Sequence, residues 1–364
     1  MTAKPHTSSR RSLRRSRITK GLASVAAASS VLALTGCTGS TADENTITIY
    51  DWSATTGTGY TPTNNTYLYE PCAEELGVTV EVDNPIDYSK IRTAIESGNV
   101  PWDLMNVQND FGSSPDELEA IDYSVVDRDR FSGDYAQDYR VGSDVQATAV
   151  AYNSDLFPTG FDSFADFFDT TTYPGKRAVP KSLFAGLIEA ALIADGVPKD
   201  EIYSMPLDET LDRAFAKLDT IKDDLVFWET GADSQSKLSS GEAVAGLVWV
   251  NRADDAVKND GAPLEVVKSE WIQTDDYWVI PKGAPNAELA QKFINCITDP
   301  EKQVQWANHI VFGPTTTEAL ESPELEANPN RPTSYMEGQV KVDDDWWTEN
   351  YKAIAERYNS WMLS

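Results

Sequence analysis

The sequence predicts an α/β protein whose sheet contains parallel strands. Short runs rich in β-branched residues alternate with helical patterns along the chain, and this order is typical of such sheets. Residues 243–250 form an almost continuous apolar run, as in a strand that is buried on both faces. The 364 residues, 41% of them hydrophobic, are enough for two globular domains.

The elements of the first half follow from periodicity and from helix-ending residues. A strand at 46–50 leads to Asp51 and Trp52. The other predicted elements are a helix at 67–76 that Gly77 ends, a strand at 78–82, a helix at 87–96 capped by Asp87, and strands at 103–107 and 145–152.

The second half predicts further helices and two buried strands. The predicted elements are helices at 183–194, 211–221, 287–297 and 301–310, and strands at 243–250 and 274–281. A terminal helix places Trp347, Tyr351, Ile354, Tyr358 and Trp361 on one face, a stripe that favours core packing over a cofactor site.

Residues 1–36 have the composition of an export signal. They carry seven basic residues and no acidic one, followed by an apolar run of roughly 14 residues that is too short to span a bilayer. Cys37 follows Leu34-Thr35-Gly36, which resembles the lipobox of bacterial lipoproteins, so we expect cleavage before a lipidated Cys37 and a tether at 37–45. An ordinary signal peptide is the alternative, and Arg10-Arg11 leaves Sec and twin-arginine export both open. We therefore expect an extracytoplasmic protein held by its lipid at the outer face of the cell membrane.

Charge excludes some partners. Without residues 1–36, 23 of the 30 basic side chains remain beside all 58 acidic ones, a net charge of about −35. Such a surface repels nucleic acid and anionic lipid, and it suits either a cationic ligand or simple solubility. Cys72 and Cys296 remain after Cys37, and in an oxidising compartment they either pair or stay as two separate buried thiols.

Catalytic motifs are missing from the sequence. His309 is the one histidine outside the signal, no G-x-S-x-G, P-loop or dinucleotide fingerprint occurs, and no His or Cys cluster has metal-ligand spacing. The sequence thus predicts a protein that is not an enzyme and needs no cofactor or metal.

Aromatic and acidic residues at strand ends suggest a site for an amine. Ligands of such sheets lie beyond the carboxyl ends of the strands, where Trp52, Asn109, Asp110, Phe111 and Trp249 are expected. Asp276 and Trp278 are two further candidates from the strand at 274–281. Carboxylates accept hydrogen bonds from an ammonium group, and aromatic faces attract it by about 0.5 to 2 kcal/mol each. The alternative roles are helix capping for the aspartates and core packing for the tryptophans.

Several motifs resemble the extracytoplasmic solute-binding proteins of ATP-binding-cassette importers, in the branch of the spermidine/putrescine receptors and their γ-aminobutyrate-type relatives. They are residues 47–52 (ITIYDW), 172–178 (TYPGKRA), 194–198 (ADGVP), 212–219 (DRAFAKLD), 228–238 (WETGADSQSKL), 240–242 (SGE), 276–283 (DYWVIPKG), 313–314 (GP) and 345–347 (DWW). Each is weak alone, but their order spans the chain after the signal.

The resemblance implies a two-lobed type II periplasmic-binding-protein fold with a ligand cleft at the hinge. The expected lobes are 45–148 plus 275–318 and 149–274 plus 319–364, joined by crossing strands at 147–152 and in the TDDYWVIP stretch. It also implies that Trp52, Trp249 and Asp276 hold an amine, and that Asp110 replaces a tyrosine. Two further carboxylates of the polyamine receptors align with Leu183 and Gly186, which disfavours a long polyamine.

Arg252 lies at the expected cleft edge, where its guanidinium suits a carboxylate. Together with Asp276 it fits a small zwitterion such as an ω-amino acid, although a surface role beside Asp254 and Asp255 is the alternative. We therefore expect a monomeric receptor that captures a small amine, a polyamine or an ω-amino acid, and delivers it to a permease. The same fold binding a sugar, a thiamine-like compound or a metal ion is the first rival.

An exported hydrolase that uses Asp275 and Asp276, and a structural lipoprotein without a ligand, are remoter alternatives. A hydrolase is disfavoured because adjacent strand residues point to opposite faces, with Asp275 expected outward.

Overall fold

The computed structural model describes residues 45–53, 55, 59–181, 183, 186–334 and 338–364. The predicted export signal and Cys37 lie outside the described residues. None of the described helices combines the length and the apolarity that crossing a membrane requires.

Strands and helices alternate as predicted. The strands are β1 Thr46–Tyr50, β2 Thr79–Asp83, β3 Leu104–Gln108, β4 Val141–Asn153, β5 Arg177–Pro180, β6 Leu225–Trp228, β7 Ala245–Trp249, β8 Leu264–Val279 and β9 Val340–Lys341. The helices are α1 Tyr60–Asn64, α2 Glu70–Leu76, α3 Tyr88–Ser97, α4 Phe164–Phe168, α5 Leu187–Ala194, α6 Leu207–Asp219, α7 Gly231–Ser239, α8 Val250–Asp260, α9 Ala287–Ile297, α10 Pro300–Ala307, α11 Thr317–Glu321 and α12 Asp344–Met362.

The described strands form one mixed sheet in the order β2-β1-β3-β8-β4-β7-β5-β6, with β9 beside β8. Neighbours are parallel in both wings, where β1 pairs with β2 and β3, and β5 pairs with β6 and β7. In the centre, β8 runs antiparallel to β3 and β4, and β4 runs antiparallel to β7. The register brings the carboxyl ends of β3 and β7 to the middle of the β4–β8 ladder, because Gln108 lies opposite Asp276 and Trp249 lies opposite Thr148.

Two large hydrophobic clusters cover the two wings of the sheet. The first includes Ile49, Leu104 and Phe293, and the second includes Leu187, Phe215 and further residues up to the terminal helix α12. Strands β4 and β8 contribute to both: Val145 and Tyr277 belong to the first cluster, whereas Val150 and Ile272 belong to the second. The stripe predicted on α12 lies in the second cluster, with Trp347, Ile354, Tyr358 and Trp361 buried.

Several predicted boundaries differ from the structure; the strand expected at 274–281, for example, begins already at Leu264. The helix expected from residue 67 begins at Tyr60 as α1, continues through a π-helical turn at Asn65–Tyr69 and ends in α2. The helix expected from residue 183 begins only at Leu187, because Gly186 has a φ of 114°, which no helix accommodates. The apolar run that ends at Val250 leaves the sheet one residue earlier, since Val250 already begins α8.

A disulfide bond joins Cys72 on α2 to Cys296 on α9, across 224 residues of sequence. Of the two alternatives that the sequence left open, the structure contains the paired one. Both cysteines lie in the first hydrophobic cluster, so the bond ties the amino-terminal wing to a segment that returns to it late in the chain.

Replacing both cysteines, Cys72→Ser with Cys296→Ser, should lower the free energy of unfolding by about 2 to 5 kcal/mol, because the unfolded chain is no longer cross-linked. Urea unfolding of the wild type, with and without reductant, beside the double variant measures the effect. Reduced wild type should behave like the variant, and equal stability of all three samples would contradict a structural role for the bond.

Candidate functional site

A cavity of about 350 Å³ lies at the centre of the sheet, where the ends of β1, β3 and β7 meet β4 and β8. Its apolar wall contains Trp52, Tyr60, Ile86, Trp249 and Phe312. Its polar groups include Gln108, Gln146, Thr230, Asn251, Arg252 and Asp276. A concave site with an apolar wall and a few polar groups is the usual form of a small-molecule site.

A larger depression of about 860 Å³ lies on the surface around Pro71, Glu301 and Glu324. None of the charged side chains that line it is buried. An open depression of this kind cannot remove a ligand from water, so we regard the smaller central cavity as the functional site.

Asp276 forms the acidic end of the cavity. It lies on β8 opposite Gln108 of β3 and Asp144 of β4, and its side chain is almost fully buried. Gln146 Nε2 donates a hydrogen bond of 2.8 Å to Asp276 Oδ1. Burial, and then the neighbouring charge of Asp144, raise the pKa of Asp276 well above its ordinary value. A cation bound beside Asp276 would stabilise its carboxylate against both the burial and the repulsion from Asp144.

Arg252 forms the basic end. It lies in the first turn of α8, directly after the strand that carries Trp249, and its Nη1 is 3.7 Å from Asp255 Oδ2. Arg252 Nε is buried and has no hydrogen-bond partner among the residues that the structure describes. The guanidinium rests on Gly231, where an added Cβ would come within 2.4 Å of Nε and displace the arginine side chain. A guanidinium with a free donor is suited to bind a carboxylate.

Two tryptophans form walls of the cavity. Trp52 follows β1, and its indole Nε1 donates a hydrogen bond of 2.6 Å to Asn106 Oδ1. Trp249 ends β7 and packs edge-on against Trp228, with ring centroids 5.2 Å apart. These contacts fix the orientation of both rings, and a fixed aromatic face can attract a cation or cover an aliphatic chain.

The structure brings together four of the eight predicted ligand residues, Trp52, Trp249, Arg252 and Asp276, and these four line the cavity. The other four lie outside its lining. Asp110 is buried under Tyr88, whose hydroxyl donates to it at 3.2 Å, and Phe111 packs against the same ring. Burial raises the pKa of Asp110 to about 6.

Asn109 is fully buried in the same short turn at Asn109–Phe111. Trp278 shares a strand face with Asp276, but it lies in the first hydrophobic cluster, edge-on to Tyr69 of the π-helical turn. That turn therefore covers the face of β8 beyond Asp276.

The expectation that Asp275 points outward is wrong, because its side chain is not exposed to solvent. Asp275 is fully buried, accepts a hydrogen bond from Gln273 Nε2 at 3.0 Å, and lies 3.5 Å from Lys341 Nζ of β9.

Other cavity residues were missed by the sequence reasoning. Gln146 was recognisable, because strand alternation places it on one face of β4 with Asp144 and Thr148. Tyr60 had no such signal, since no capping side chain marks the start of α1. Among the residues that the structure describes, no group of three His, Cys, Asp or Glu side chains is arranged to hold a metal ion.

Comparison with known proteins identifies the family to which this chain is related. Residues 67–333 match the family described as bacterial extracellular solute-binding protein. The chain belongs to that family. It is 32% identical over 289 residues to the γ-aminobutyric acid-binding protein of Pseudomonas aeruginosa, across 76% of this chain and 80% of the relative.

Two solved structures are similar over nearly the whole described chain. A γ-aminobutyrate receptor is 35% identical with a TM-score of 0.78, covering 87% of this chain and 97% of that one. A periplasmic binding protein of A. tumefaciens in complex with agropinic acid is 28% identical with a TM-score of 0.77, covering 88% and 99%. The predicted periplasmic-binding-protein fold and the recognition as a solute-binding protein are thus confirmed. The family and these relatives are solute-binding proteins and not enzymes.

The buried aspartates predict how stability depends on pH. Burial raises the pKa of Asp144 to about 7 and that of Asp275 to about 6. Because an unfolded aspartate titrates near about 4, the folded protein binds protons more tightly, and stability should fall as pH rises from about 4 to about 7. Thermal unfolding of the ligand-free protein should therefore show a melting temperature that is higher at pH 5 than at pH 7.5.

Asp110→Asn should flatten part of this dependence, whereas Asp208→Asn, an exposed residue at the start of α6, should leave it unchanged. A melting temperature that falls on acidification from pH 7.5 to 5 would show that these carboxyl groups are ionised in the folded protein.

Proposed function

We propose that this protein captures a small ω-amino acid of the γ-aminobutyrate type and delivers it to an importer's permease. The observation that carries the proposal is that an acidic side chain, Asp276, and a basic one, Arg252, line the same cavity with Trp52 and Trp249 between the wings. The ammonium of the solute would bind Asp276 and its carboxylate would bind Arg252.

The energetics favour a ligand with both charges. A hydrogen bond between charged groups contributes about 1.5 to 3 kcal/mol, and each aromatic face adds about 0.5 to 2 kcal/mol for the cation. A ligand with only one charge leaves either Asp276 or Arg252 desolvated without a partner, and that loss costs a similar amount. The names of the relatives support the same class, since one curated relative and one solved structure are described as γ-aminobutyrate binders.

Closure of two lobes would place the ligand between them. We propose lobes at 45–148 plus 275–318 and at 149–274 plus 319–364, the division that the two hydrophobic clusters support. Asp276 and Trp52 then come from the first lobe, and Arg252 and Trp249 from the second. A zwitterion that contacts both ends would stabilise the closed state over the open one, and only such a difference in affinity can shift the equilibrium.

Putrescine is the second candidate, because the environment of Asp276 is acidic. After burial, the charges of Asp144, Asp51 and Asp110 raise the pKa of Asp276, so the field at that end of the cavity favours cations. The positions that align with further polyamine carboxylates are Leu183 and Gly186, neither of which is charged. A diamine would also bring its second ammonium group towards the positive charge of Arg252. An ω-amino acid brings a carboxylate there and avoids this repulsion.

A four-carbon ligand series tests the charge pair. γ-Aminobutyrate should raise the melting temperature more than putrescine, butylamine or butyrate, because it alone satisfies both ends. By calorimetry, Asp276→Asn should weaken γ-aminobutyrate at least tenfold, and Arg252→Ala should weaken it similarly while sparing butylamine.

Asp208→Asn and Arg357→Ala are matched controls at exposed positions, and neither should change affinity. Stabilisation by sugars alone would remove the amine proposal. If Arg252→Ala weakened γ-aminobutyrate and butylamine equally, Arg252 would not contact a carboxylate.

We also propose that lipidated Cys37 anchors the exported chain to the outer face of the membrane. Mass spectrometry of the membrane-extracted protein should find an amino-terminal peptide that begins at a diacylated Cys37. Cys37→Ser should release the protein into the soluble extracellular fraction, whereas Cys72→Ser should not. An unmodified Cys37, or cleavage at another residue, would refute the anchor.

A further inference from the structure

Two buried carboxyl groups lie side by side at the acidic end of the cavity. Asp144 of β4 and Asp276 of β8 are direct partners on antiparallel strands and therefore point to the same face of the sheet. They are 0% and 3% exposed, and neither forms an ion pair with any residue that the structure describes. Two like charges directly opposite each other on paired strands repel, and burial strengthens the repulsion.

The groups that face the pair from other elements do not neutralise it. Asp51 after β1 and Asp110 after β3 are acidic, and each accepts a hydrogen bond from a tyrosine hydroxyl, of Tyr69 and Tyr88 respectively. Asp275 points to the other face of β8 and is the residue that faces Lys341. Of the other described charged side chains that line the cavity, Arg252 is basic and has Asp255 as its neighbour, and Glu229 is acidic and pairs with Lys181.

The hydrogen bonds of the two carboxyl groups differ. Asp144 Oδ2 accepts from Tyr60 Oη at 2.6 Å and from Ser143 Oγ at 3.0 Å, and two hydroxyl donors stabilise a carboxylate. Asp276 accepts one described hydrogen bond, from the amide of Gln146. Asp144 Oδ1 is buried and receives none from the described residues, so it can accept one from a proton on the pair.

We infer that Asp144 and Asp276 hold one proton between them in the free protein, mainly on Asp276, and that the ammonium group of the solute displaces it. This step rests on the proposed function. The Asp276 carboxylic acid loses its proton to the solvent, and the resulting carboxylate accepts hydrogen bonds from the ligand's ammonium, so charge balances without any other reactant. Asp144, which does not line the cavity, thereby sets the affinity and its dependence on pH.

The electrostatic shifts agree with this geometry. Burial, followed by the charge of Asp144, raises the pKa of Asp276, and burial raises the pKa of Asp144 to about 7. Below the pKa of Asp276 in the free protein, the affinity for an ammonium ligand should fall about tenfold for each pH unit. Capture of the solute would then be weaker in acidic surroundings.

Calorimetric titration of γ-aminobutyrate at pH 7.5, above the pKa of Asp144, in buffers of different ionisation enthalpy, measures the protons released. The wild type should release protons on binding, and Asp144→Asn should release clearly fewer, because the opposing charge is gone. Asp208→Asn should behave like the wild type. Binding heat that is the same in every buffer, or an unchanged release in Asp144→Asn, would overturn the inference while leaving the proposed solute in place.

Carbon-13 NMR titration of the aspartate carboxyl groups in the ligand-free protein does not depend on the ligand. Asp276→Asn identifies the signal. That signal should titrate above the ordinary aspartate range in the wild type and shift downward in Asp144→Asn. A pKa of Asp276 in the ordinary aspartate range would refute the shared proton. Failure of every ω-amino acid to bind would refute the proposed function instead, and the NMR titration would still test whether the two aspartates share a proton.

Discussion

Strands β4 and β8 pair antiparallel from Val141 opposite Trp278 to Asn153 opposite Leu264. This ladder is the constraint on which the rest of the structure depends, because both strands pass from one hydrophobic cluster to the other. Its register also places Asp144 opposite Asp276 and directs both towards one face. A shift by one residue would turn Asp276 away from the cavity and bring Asp275 into it, at the cost of burying the wrong set of side chains on both faces.

Burial of several carboxyl groups is costly, and the structure limits the cost in two ways. Hydroxyl and amide donors surround the acids, as Tyr69 does for Asp51 and Gln146 does for Asp276. Raised pKa values then allow some of them to be neutral. Among the residues that the structure describes, none forms an ion pair with Asp276 and none accepts a hydrogen bond from Arg252 Nε. Under the proposed function, a solute that carries both charges would pair with Asp276 and Arg252 at once.

The fold could be predicted from the sequence because periodicity and strand-end rules act locally. The alternation of strands and helices, the cap at Asp87 and the helix Ala287–Ile297 follow from nearest neighbours. The strand-end rule also found Trp52 and Trp249. It could not separate Asp276 from Trp278, which share a face, because the π-helical turn that covers Trp278 comes from a distant part of the chain. Nor could it exclude Asp110, whose direction is set by a tight turn and by the hydroxyl of Tyr88.

Adjacent carboxylates in TDDYW have different environments because a strand alternates its faces. Asp275 lies under β9, where Gln273 and Lys341 satisfy it, and it belongs to the support of the central ladder. Asp276 lies on the other face with Gln146 and the cavity. A glycosidase needs two carboxyl groups about 5 to 9.5 Å apart on either side of one bond of its substrate, and neighbours on opposite faces of a sheet cannot reach the same bond. The geometry instead leaves Asp275 to support the central ladder and Asp276 to line the cavity, where the proposed function assigns it to the ammonium group of the solute.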